Sequence, residues 1–153
     1  MGSLELKIPP VALALLAGAA MWVLTVAAPS FAWQLPYRQV IAMILAVCGV
    51  TVALGGVASF RRASTTVNPT KPRETTSLVT TGIYRLSRNP MYLGFLLALV
   101  AWAVFLANLL ALFPVVAFIA YMNRFQIVPE ERVLSVMFGN EFEAYKQRVR
   151  RWV

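Results

Sequence analysis

The sequence predicts an all-α membrane protein with four transmembrane helices and both termini in the cytoplasm. The first observation is hydropathy: 59% of the residues are hydrophobic, the mean hydropathy is +0.70 and only 13% are charged. A soluble domain averages about 25% charged residues. The second observation is the length of the hydrophobic runs, and the third is the distribution of Lys and Arg around them. We therefore expect one membrane-embedded domain over residues 1–153.

The first two hydrophobic runs each have the length of one transmembrane helix. Residues 11–28 form an apolar run of 18, and residues 39–60 form one of 22. A helix needs about 20 residues to cross the hydrocarbon core. The first run also has features of a secretory signal, with Lys7 before it and small residues at its end. Pro29 disfavours cleavage there, so we expect the helix to be retained.

The third hydrophobic block is too long for one span. Met91 to Asn123 is 33 residues without a charge, and one such helix would measure about 50 Å against a core of about 30 Å. A reversal near Ala107-Asn108 gives two spans instead, at 90–106 and 109–125.

The basic residues then set the orientation. Thirteen of the 14 Lys and Arg residues fall on one side of these spans, and Arg38 alone falls on the other. By the positive-inside rule, the loop 61–89, the segment 126–153 and both termini are cytoplasmic.

The C-terminal residues predict an amphipathic helix lying in the membrane interface. Between Glu141 and Val153, apolar side chains recur every three or four residues among basic ones. They are Phe142, Tyr145, Val149 and Trp152. The net charge of +8 is explained by topology and by contact with anionic membrane lipids, so we expect no nucleic-acid partner.

The residue inventory excludes several kinds of site. The chain has no histidine and no aspartate, so we expect no metal centre and no Ser-His-Asp or Cys-His triad. Cys48 is the one cysteine and reads as a packing residue, and Gly55-Gly56 reads as a close helix contact. Catalysis has to use glutamates, tyrosines, arginines and backbone groups, which suits a reaction whose reagent arrives already activated.

Two motifs lie where apolar sequence meets basic sequence. The first comprises the run 78–84 and the box Arg88-Asn89-Pro90-Met91-Tyr92, and the second is Pro129-Glu130-Glu131. Each has a plain structural interpretation, because Asn-Pro and Pro-Glu-Glu both suit the first turn of a helix. Their coincidence at one membrane face favours a functional site.

These motifs, with Phe138-Gly139, Tyr145 and Arg148-Val149, resemble the isoprenylcysteine carboxyl methyltransferase family over about 68–151. More distantly, they are similar to the membrane phospholipid methyltransferases. The resemblance implies a helical membrane enzyme that uses S-adenosyl-L-methionine without a Rossmann fold. It also implies which residues line the cofactor pocket. They are Thr76, Ser77, Leu78, Val79, Tyr84, Asn89, Pro90, Met91, Tyr92 and Glu130.

The sequence departs from the family pattern at two positions. Asn89 stands where the family has histidine, which preserves hydrogen bonding but not proton transfer. Gln126 stands where the family has an arginine on the acceptor side, and Arg124 lies two residues earlier. The catalytic candidates are Glu130, to pair with the cofactor's ammonium group, Arg124 and Glu131. An amine or hydroxyl acceptor would need a general base, for which Glu131 or Glu74 is the candidate.

Three functions follow as hypotheses. The first is a methyltransferase acting on a lipidic or hydrophobic small-molecule acceptor, with its site on the cytoplasmic face of a bacterial inner membrane. The second is a reductase of the sterol-reductase type that uses NADPH, and the third is a non-catalytic membrane scaffold. The acceptor remains open between a prenylcysteine-like carboxylate, a phospholipid amine and a foreign hydrophobic molecule. The sequence leaves the oligomeric state open, and the loop 61–76 is either a lid over the cofactor or a solvated connection.

Overall fold

The computed structural model describes residues 5–63 and 77–153 of the chain. These ranges are helical, with one isolated backbone bridge between Ala32 and Asn108. The α-helices are α1 (Pro10–Ala27), α2 (Arg38–Arg62), α3 (Pro90–Leu106), α4 (Leu112–Tyr121) and α5 (Val128–Arg148). A π-helical turn, Met122–Ile127, joins α4 to α5, and short 3-10 turns cover Pro29–Phe31, Gly82–Arg85 and Leu109–Ala111.

The predicted membrane class is confirmed by helix length and composition. In the described ranges, α1, α2 and the helical run Leu109–Arg148, which is kinked at Gly139, are long and apolar enough to cross a membrane. The apolar helix α3 has 17 residues and matches the predicted span 90–106. The chain therefore has three to four apolar helices that could span a bilayer.

The reversal predicted near Ala107-Asn108 is present. Ala107 ends α3 in the left-handed conformation, at φ 48° and ψ 49°. The Asn108 side chain accepts a hydrogen bond from the Leu110 N–H and donates one to the Ala28 carbonyl, both at 2.9 Å. The Trp33 N–H also donates to the Ala107 carbonyl at 2.9 Å. The two hairpin turns are thereby tied together at one end of the helices.

Small residues let α2 and α3 pack backbone against backbone. A Cβ atom built on Gly49 would lie 2.8 Å from the Gly94 carbonyl oxygen, and one built on Gly94 would lie 2.6 Å from Ala53 Cβ. Only glycine fits at such distances. The opposite side of α3 faces α1 and α4 through an apolar group that we name the helix core. It comprises Ala17, Met21, Tyr92, Leu99, Ala103, Ala111, Val115, Phe118, Met122 and Ile127.

The C-terminal region differs from the prediction. The fourth helical run continues past residue 125 to a kink at Gly139, where φ is 48° and ψ is −125°. The last segment of α5 then ends at Arg148, with Val149 extended, rather than continuing to 153. Its apolar residues also do not form a free lipid-facing stripe, because they are buried in the protein. They belong to a second apolar group, the loop cluster, which comprises Val79, Tyr84, Phe142, Tyr145 and Val149.

The helical run continues because its proline is compensated by a distant segment. Pro129 has no N–H to donate to the preceding turn, which normally kinks or ends a helix. Here the carbonyl of Phe125, four residues before Pro129, accepts from the Leu6 N–H at 3.0 Å. The π-helical turn ends at Ile127, two residues before the proline. The segment ahead of α1 thus packs against the junction of α4 and α5.

Candidate functional site

Tyr92, Gln126 and Glu130 form a hydrogen-bonded triad between α3 and α5. The Tyr92 hydroxyl donates to Glu130 Oε1 at 2.5 Å, and Gln126 Nε2 donates to the same oxygen at 2.7 Å. Tyr92 is 4% exposed and Gln126 is 1% exposed. Tyr92 also belongs to the helix core, so packing fixes the ring that holds the carboxylate.

The donors that hold Glu130 are neutral. Within the described ranges, no arginine or lysine forms an ion pair with this carboxylate, which is partly buried. Neutral donors orient a carboxylate without neutralising it, and a partly desolvated site strengthens its attraction for a cation. The triad therefore suits a ligand that carries positive charge.

The π-helical turn contributes Gln126 to this triad. Gln126 lies inside the turn, and Glu130 follows three residues after the turn ends. Single π-helical turns are often found at functional sites, because they reorient a few side chains within a helix. The turn also contributes Met122 and Ile127 to the helix core, so it is held by apolar packing.

Tyr84 lies beside the triad on the 3-10 turn Gly82–Arg85. Its ring meets Phe60 edge to face, with centroids 5.4 Å apart, and its carbonyl accepts from the Tyr145 hydroxyl at 2.7 Å. Burial raises the pKa of the Tyr84 phenol well above its usual value, and the neighbouring Tyr145 and Glu130 raise it further. Tyr84 is thus neutral, fixed and close enough to Glu130 to feel its charge.

Glu131 faces a different set of partners from its neighbour Glu130. Arg151 donates to it through Nε at 3.1 Å and Nη2 at 2.7 Å, and Arg88 Nη2 lies 3.2 Å from Oε1. Two guanidinium groups therefore share one carboxylate. These two salt bridges make Glu131 a structural link between α5, the box and the C-terminal residues, rather than a group free to face an acceptor.

The Asn89 side chain does not cap α3. No side-chain cap hydrogen bond forms at this position, and Asn89 Nδ2 instead donates to the Arg151 carbonyl at 2.9 Å. The Ser87 hydroxyl accepts from the Asn89 N–H at 3.1 Å. The box therefore binds the C-terminal residues, which is a contact between positions 62 apart in sequence.

The remaining predicted pocket residues lie around the start of α3 and the end of α2. Ser77 donates to the Ala63 carbonyl at 3.4 Å, and Val79 is buried in the loop cluster with Leu78 packed against it. Pro90 is buried, and Met91 packs on Gly56. Thr76 lies outside the described residues, as does most of the loop predicted as a lid.

Arg124 is not brought to the triad. Its side chain is 65% exposed, with its guanidinium 4.0 Å from Glu5 and over the Phe125 ring at 5.6 Å. The three predicted catalytic residues therefore do not share one site. Each lies in different surroundings: Glu130, Arg124 and Glu131.

Several residues that shape the site were missed. Arg88, Ser87 and Arg151 hold the box and Glu131, and Gln126 was considered only as a missing arginine. Arg88 and Ser87 are adjacent to Asn89, which was a usable signal. No sequence signal marks Arg151 as a site residue, because membrane topology explains a basic residue near the C-terminus equally well.

An apolar groove runs along α1 and α3. Its volume is about 550 Å³. One side of it comes from α1 and the other from α3. The lining residues are Val11, Ala14, Leu15, Gly18, Ala19, Trp22, Phe95, Ala98, Leu99 and Trp102. The Trp102 indole N–H donates to the Gly18 carbonyl at 3.1 Å, which ties the two walls together.

Comparison with known proteins gives a family match over most of the chain. The family described as phospholipid methyltransferase matches residues 37–141. A probable protein-S-isoprenylcysteine O-methyltransferase of Oryza sativa is 33% identical over 120 residues, 76% of this chain and 60% of that protein. Methanethiol S-methyltransferase 1 of Bradyrhizobium diazoefficiens is 39% identical over 80 residues, 52% of this chain and 26% of that protein.

A third relative is short. An uncharacterized protein of Haemophilus influenzae is 51% identical over 63 residues, which is 41% of this chain and 100% of that protein. The chain spans 60% or less of the length of the two methyltransferases. No solved structure gives a significant match.

Proposed function

The chain belongs to the phospholipid methyltransferase family, and we propose that it transfers the methyl group of S-adenosyl-L-methionine to a lipidic or apolar acceptor. One observation carries the proposal: the Glu130 carboxylate is held by the neutral donors Tyr92 and Gln126, next to the buried ring of Tyr84. Two relatives, one named an O-methyltransferase and the other an S-methyltransferase, support it.

The residues present fit the two positively charged groups of the cofactor. S-Adenosyl-L-methionine supplies a methyl group activated on a sulfonium ion, and it also carries an ammonium group. Glu130 would pair with the ammonium group, and the faces of Tyr84 and Tyr92 would attract positive charge by about 0.5–2 kcal/mol. The rest of the pocket follows from the resemblance, through Thr76, Ser77, Leu78, Val79, Asn89, Pro90 and Met91.

The chain's own contribution to the rate would be orientation and exclusion of water. Holding two reactants in line can supply a large part of the barrier reduction in a bimolecular displacement. A carboxylate or thiolate acceptor needs no general base. Glu131 was the predicted base for an amine or hydroxyl, and its pairing with Arg88 and Arg151 argues for a structural role instead.

The acceptor would approach through the membrane. The groove between α1 and α3 has an apolar lining and lies within the spanning part of the chain, which suits an alkyl or prenyl chain. The excess of basic residues on one side supports a cytoplasmic position for the polar site under the positive-inside rule.

A non-catalytic scaffold is the second candidate. Asn89 and Glu131 are both occupied by contacts with the C-terminal residues. Those contacts explain the presence of both motifs without any chemistry. The scaffold hypothesis predicts a folded protein that binds no cofactor.

Methyl transfer in a reconstituted bilayer tests the proposal. The purified protein is placed in proteoliposomes with methyl-labelled S-adenosyl-L-methionine and one acceptor at a time: a prenylated cysteine, phosphatidylethanolamine or an alkyl thiol. We expect label in one acceptor class and its loss in Glu130→Gln, with Glu141→Gln as the matched control because Glu141 is exposed. Cofactor binding without transfer to any acceptor would exclude these three acceptor classes, and absence of both would favour the scaffold.

A further inference from the structure

We propose that Arg151 is a positioning residue that holds the Tyr92–Glu130 pair in register. It acts from the C-terminal strap, which we define as residues 149–153. The inference rests on the proposed function only for its effect on cofactor binding. The strap itself lies outside the stretch 37–141 that the family match covers, whereas its partners lie inside it.

The main chain of the strap binds the box that precedes α3. The Arg88 N–H donates to the Arg150 carbonyl at 3.1 Å, and Asn89 Nδ2 donates to the Arg151 carbonyl at 2.9 Å. The Ser87 hydroxyl lies 3.4 Å from the same Arg151 oxygen. Ser87 and the first two residues of the box thus face two consecutive carbonyls of the strap.

The Arg151 side chain binds the first turn of α5. Its guanidinium meets Glu131 in a two-point contact, at 3.1 Å from Nε and 2.7 Å from Nη2. A planar guanidinium fixes distance and angle when it binds a carboxylate at two points, which a lysine cannot do. Arg151 therefore contacts the start of α3 with its backbone and the start of α5 with its side chain.

Arg88 makes this link costly to break. Its side chain is 12% exposed, and its Nε and Nη1 atoms are buried without a hydrogen-bond partner. Glu131 is the carboxylate that pairs with it in the described ranges. A buried charge that loses its partner is strongly destabilising, so Glu131 is held in place from two directions.

Trp152 anchors the strap beyond Arg151. Its indole N–H donates to Asn123 Oδ1 at 3.2 Å, and its ring packs against the helix core. Asn123 lies in the π-helical turn that also holds Gln126. The strap thus contacts all three segments that supply the triad.

The geometry makes these contacts relevant to Glu130. Glu131 is its neighbour, and Asn89 lies one helical turn before Tyr92. A shift of α5 against α3 would separate the Tyr92 hydroxyl from Glu130, and the strap opposes such a shift on the side that the triad does not cover. Binding sites need their groups held to within about 0.5 Å, so loosening the strap should weaken cofactor binding before it unfolds the protein.

The test compares Arg151→Ala with Arg150→Ala, which removes the same charge from an exposed neighbour and leaves the Glu131 contact intact. Binding of S-adenosylhomocysteine and hydrogen exchange of residues 87–93 and 128–131 are measured on the full chain in detergent. We expect about tenfold weaker binding and faster exchange in Arg151→Ala, little change in Arg150→Ala, and partial recovery in Arg151→Lys.

Each outcome either supports or overturns the positioning role of Arg151. Unchanged exchange in Arg151→Ala would overturn it, and so would equal losses of binding in the two alanine variants. If the wild-type protein binds no S-adenosylhomocysteine, the proposed function fails, and the exchange comparison still decides whether Arg151 positions the two helix starts. A melting temperature that falls equally in both alanine variants, with unchanged exchange at these segments, would indicate a general structural role and contradict positioning.

Discussion

Adjacent glutamates in the first turn of α5 have different partners. Glu130 accepts hydrogen bonds from the neutral groups of Tyr92 and Gln126, whereas Glu131 is shared by the guanidinium groups of Arg88 and Arg151. The sequence presents them as an equivalent pair. Successive residues on a helix point about 100° apart, so one faces α3 and the other faces the C-terminal strap.

The sequence predicts that Tyr92 and Glu130 are site residues, but it does not show that their side chains are hydrogen-bonded. Their hydrogen bond joins residues 38 positions apart, and only the packing of α3 against the junction of α4 and α5 brings them together. At Asn89 the local sequence is misleading, because an Asn before Pro predicts a helix cap. Its amide instead binds the Arg151 carbonyl, a partner that no local pattern reveals.

Tyr84 makes a prediction about pH at this scale. Burial holds the pKa of its phenol above the usual value of 10.0 in the folded state. Above pH 10 the unfolded chain loses this proton and the folded chain keeps it, so folding stability decreases as the pH rises, by at most about 1.4 kcal/mol per pH unit. Tyr84→Phe lacks this contribution and should lose less stability between pH 9.5 and 11 than the wild type.

Thermal unfolding in detergent across that range measures the difference. Tyr37→Phe is the control, because Tyr37 is 82% exposed and should follow the wild-type profile. Parallel profiles for Tyr84→Phe and the wild type would show that Tyr84 ionises as readily in the folded protein as in the unfolded chain.

The close contact between α2 and α3 makes a prediction at the scale of elements. Gly94→Ala places a methyl group 2.6 Å from Ala53 Cβ and 2.7 Å from the Gly49 carbonyl oxygen, so the two helices must separate. Overpacking of this kind typically lowers stability by about 1–3 kcal/mol. Gly18→Ala is the matched control, because a Cβ there meets nothing within 4 Å.

The melting temperature of each glycine variant in one detergent tests this expectation. Gly94→Ala should melt lower than the wild type, and Gly18→Ala should match or slightly exceed it, since glycine inside a helix is unfavourable by about 0.5–1 kcal/mol. Equal melting temperatures for the two variants would contradict the close approach of α2 and α3.

The sequence predicted the helices well where local signals decide them. The bounds of α3 follow from Asn-Pro at its start and from the length limit that required a reversal at Ala107-Asn108. The junction of α4 and α5 was not predictable in this way, because Pro129 reads as the start of a new helix. Its continuity depends on the Leu6 N–H, which donates to the Phe125 carbonyl from the far end of the chain.

At the scale of the whole molecule, the family match and the site do not cover the same residues. The match extends over 37–141, whereas α1 and the C-terminal strap lie outside it. The helix α1 supplies one wall of the apolar groove, and the strap holds the box and Glu131. One wall of the groove therefore lies outside the matched stretch, and the other wall, on α3, lies inside it.

The orientation in the membrane is also a property of the whole molecule. The turn between α1 and α2 should face away from the cytoplasm, and the C-terminal half of α5 should face it. In a Cys48→Ser background, Ser30→Cys should react with a membrane-impermeant maleimide in intact cells, and Asn140→Cys should react only after lysis. The reverse labelling pattern would place the triad outside the cytoplasm, away from its proposed cofactor.

The most direct test of the central claim is calorimetric titration of the detergent-purified protein with S-adenosylhomocysteine. The wild type should bind saturably. Glu130→Ala should bind at least about tenfold more weakly, because a charge-assisted hydrogen bond contributes about 1.5–3 kcal/mol. The exposed Glu141→Ala should bind as the wild type does. Absence of binding to the folded wild-type protein, or equal binding by Glu130→Ala, would contradict the assignment of the triad as the cofactor site.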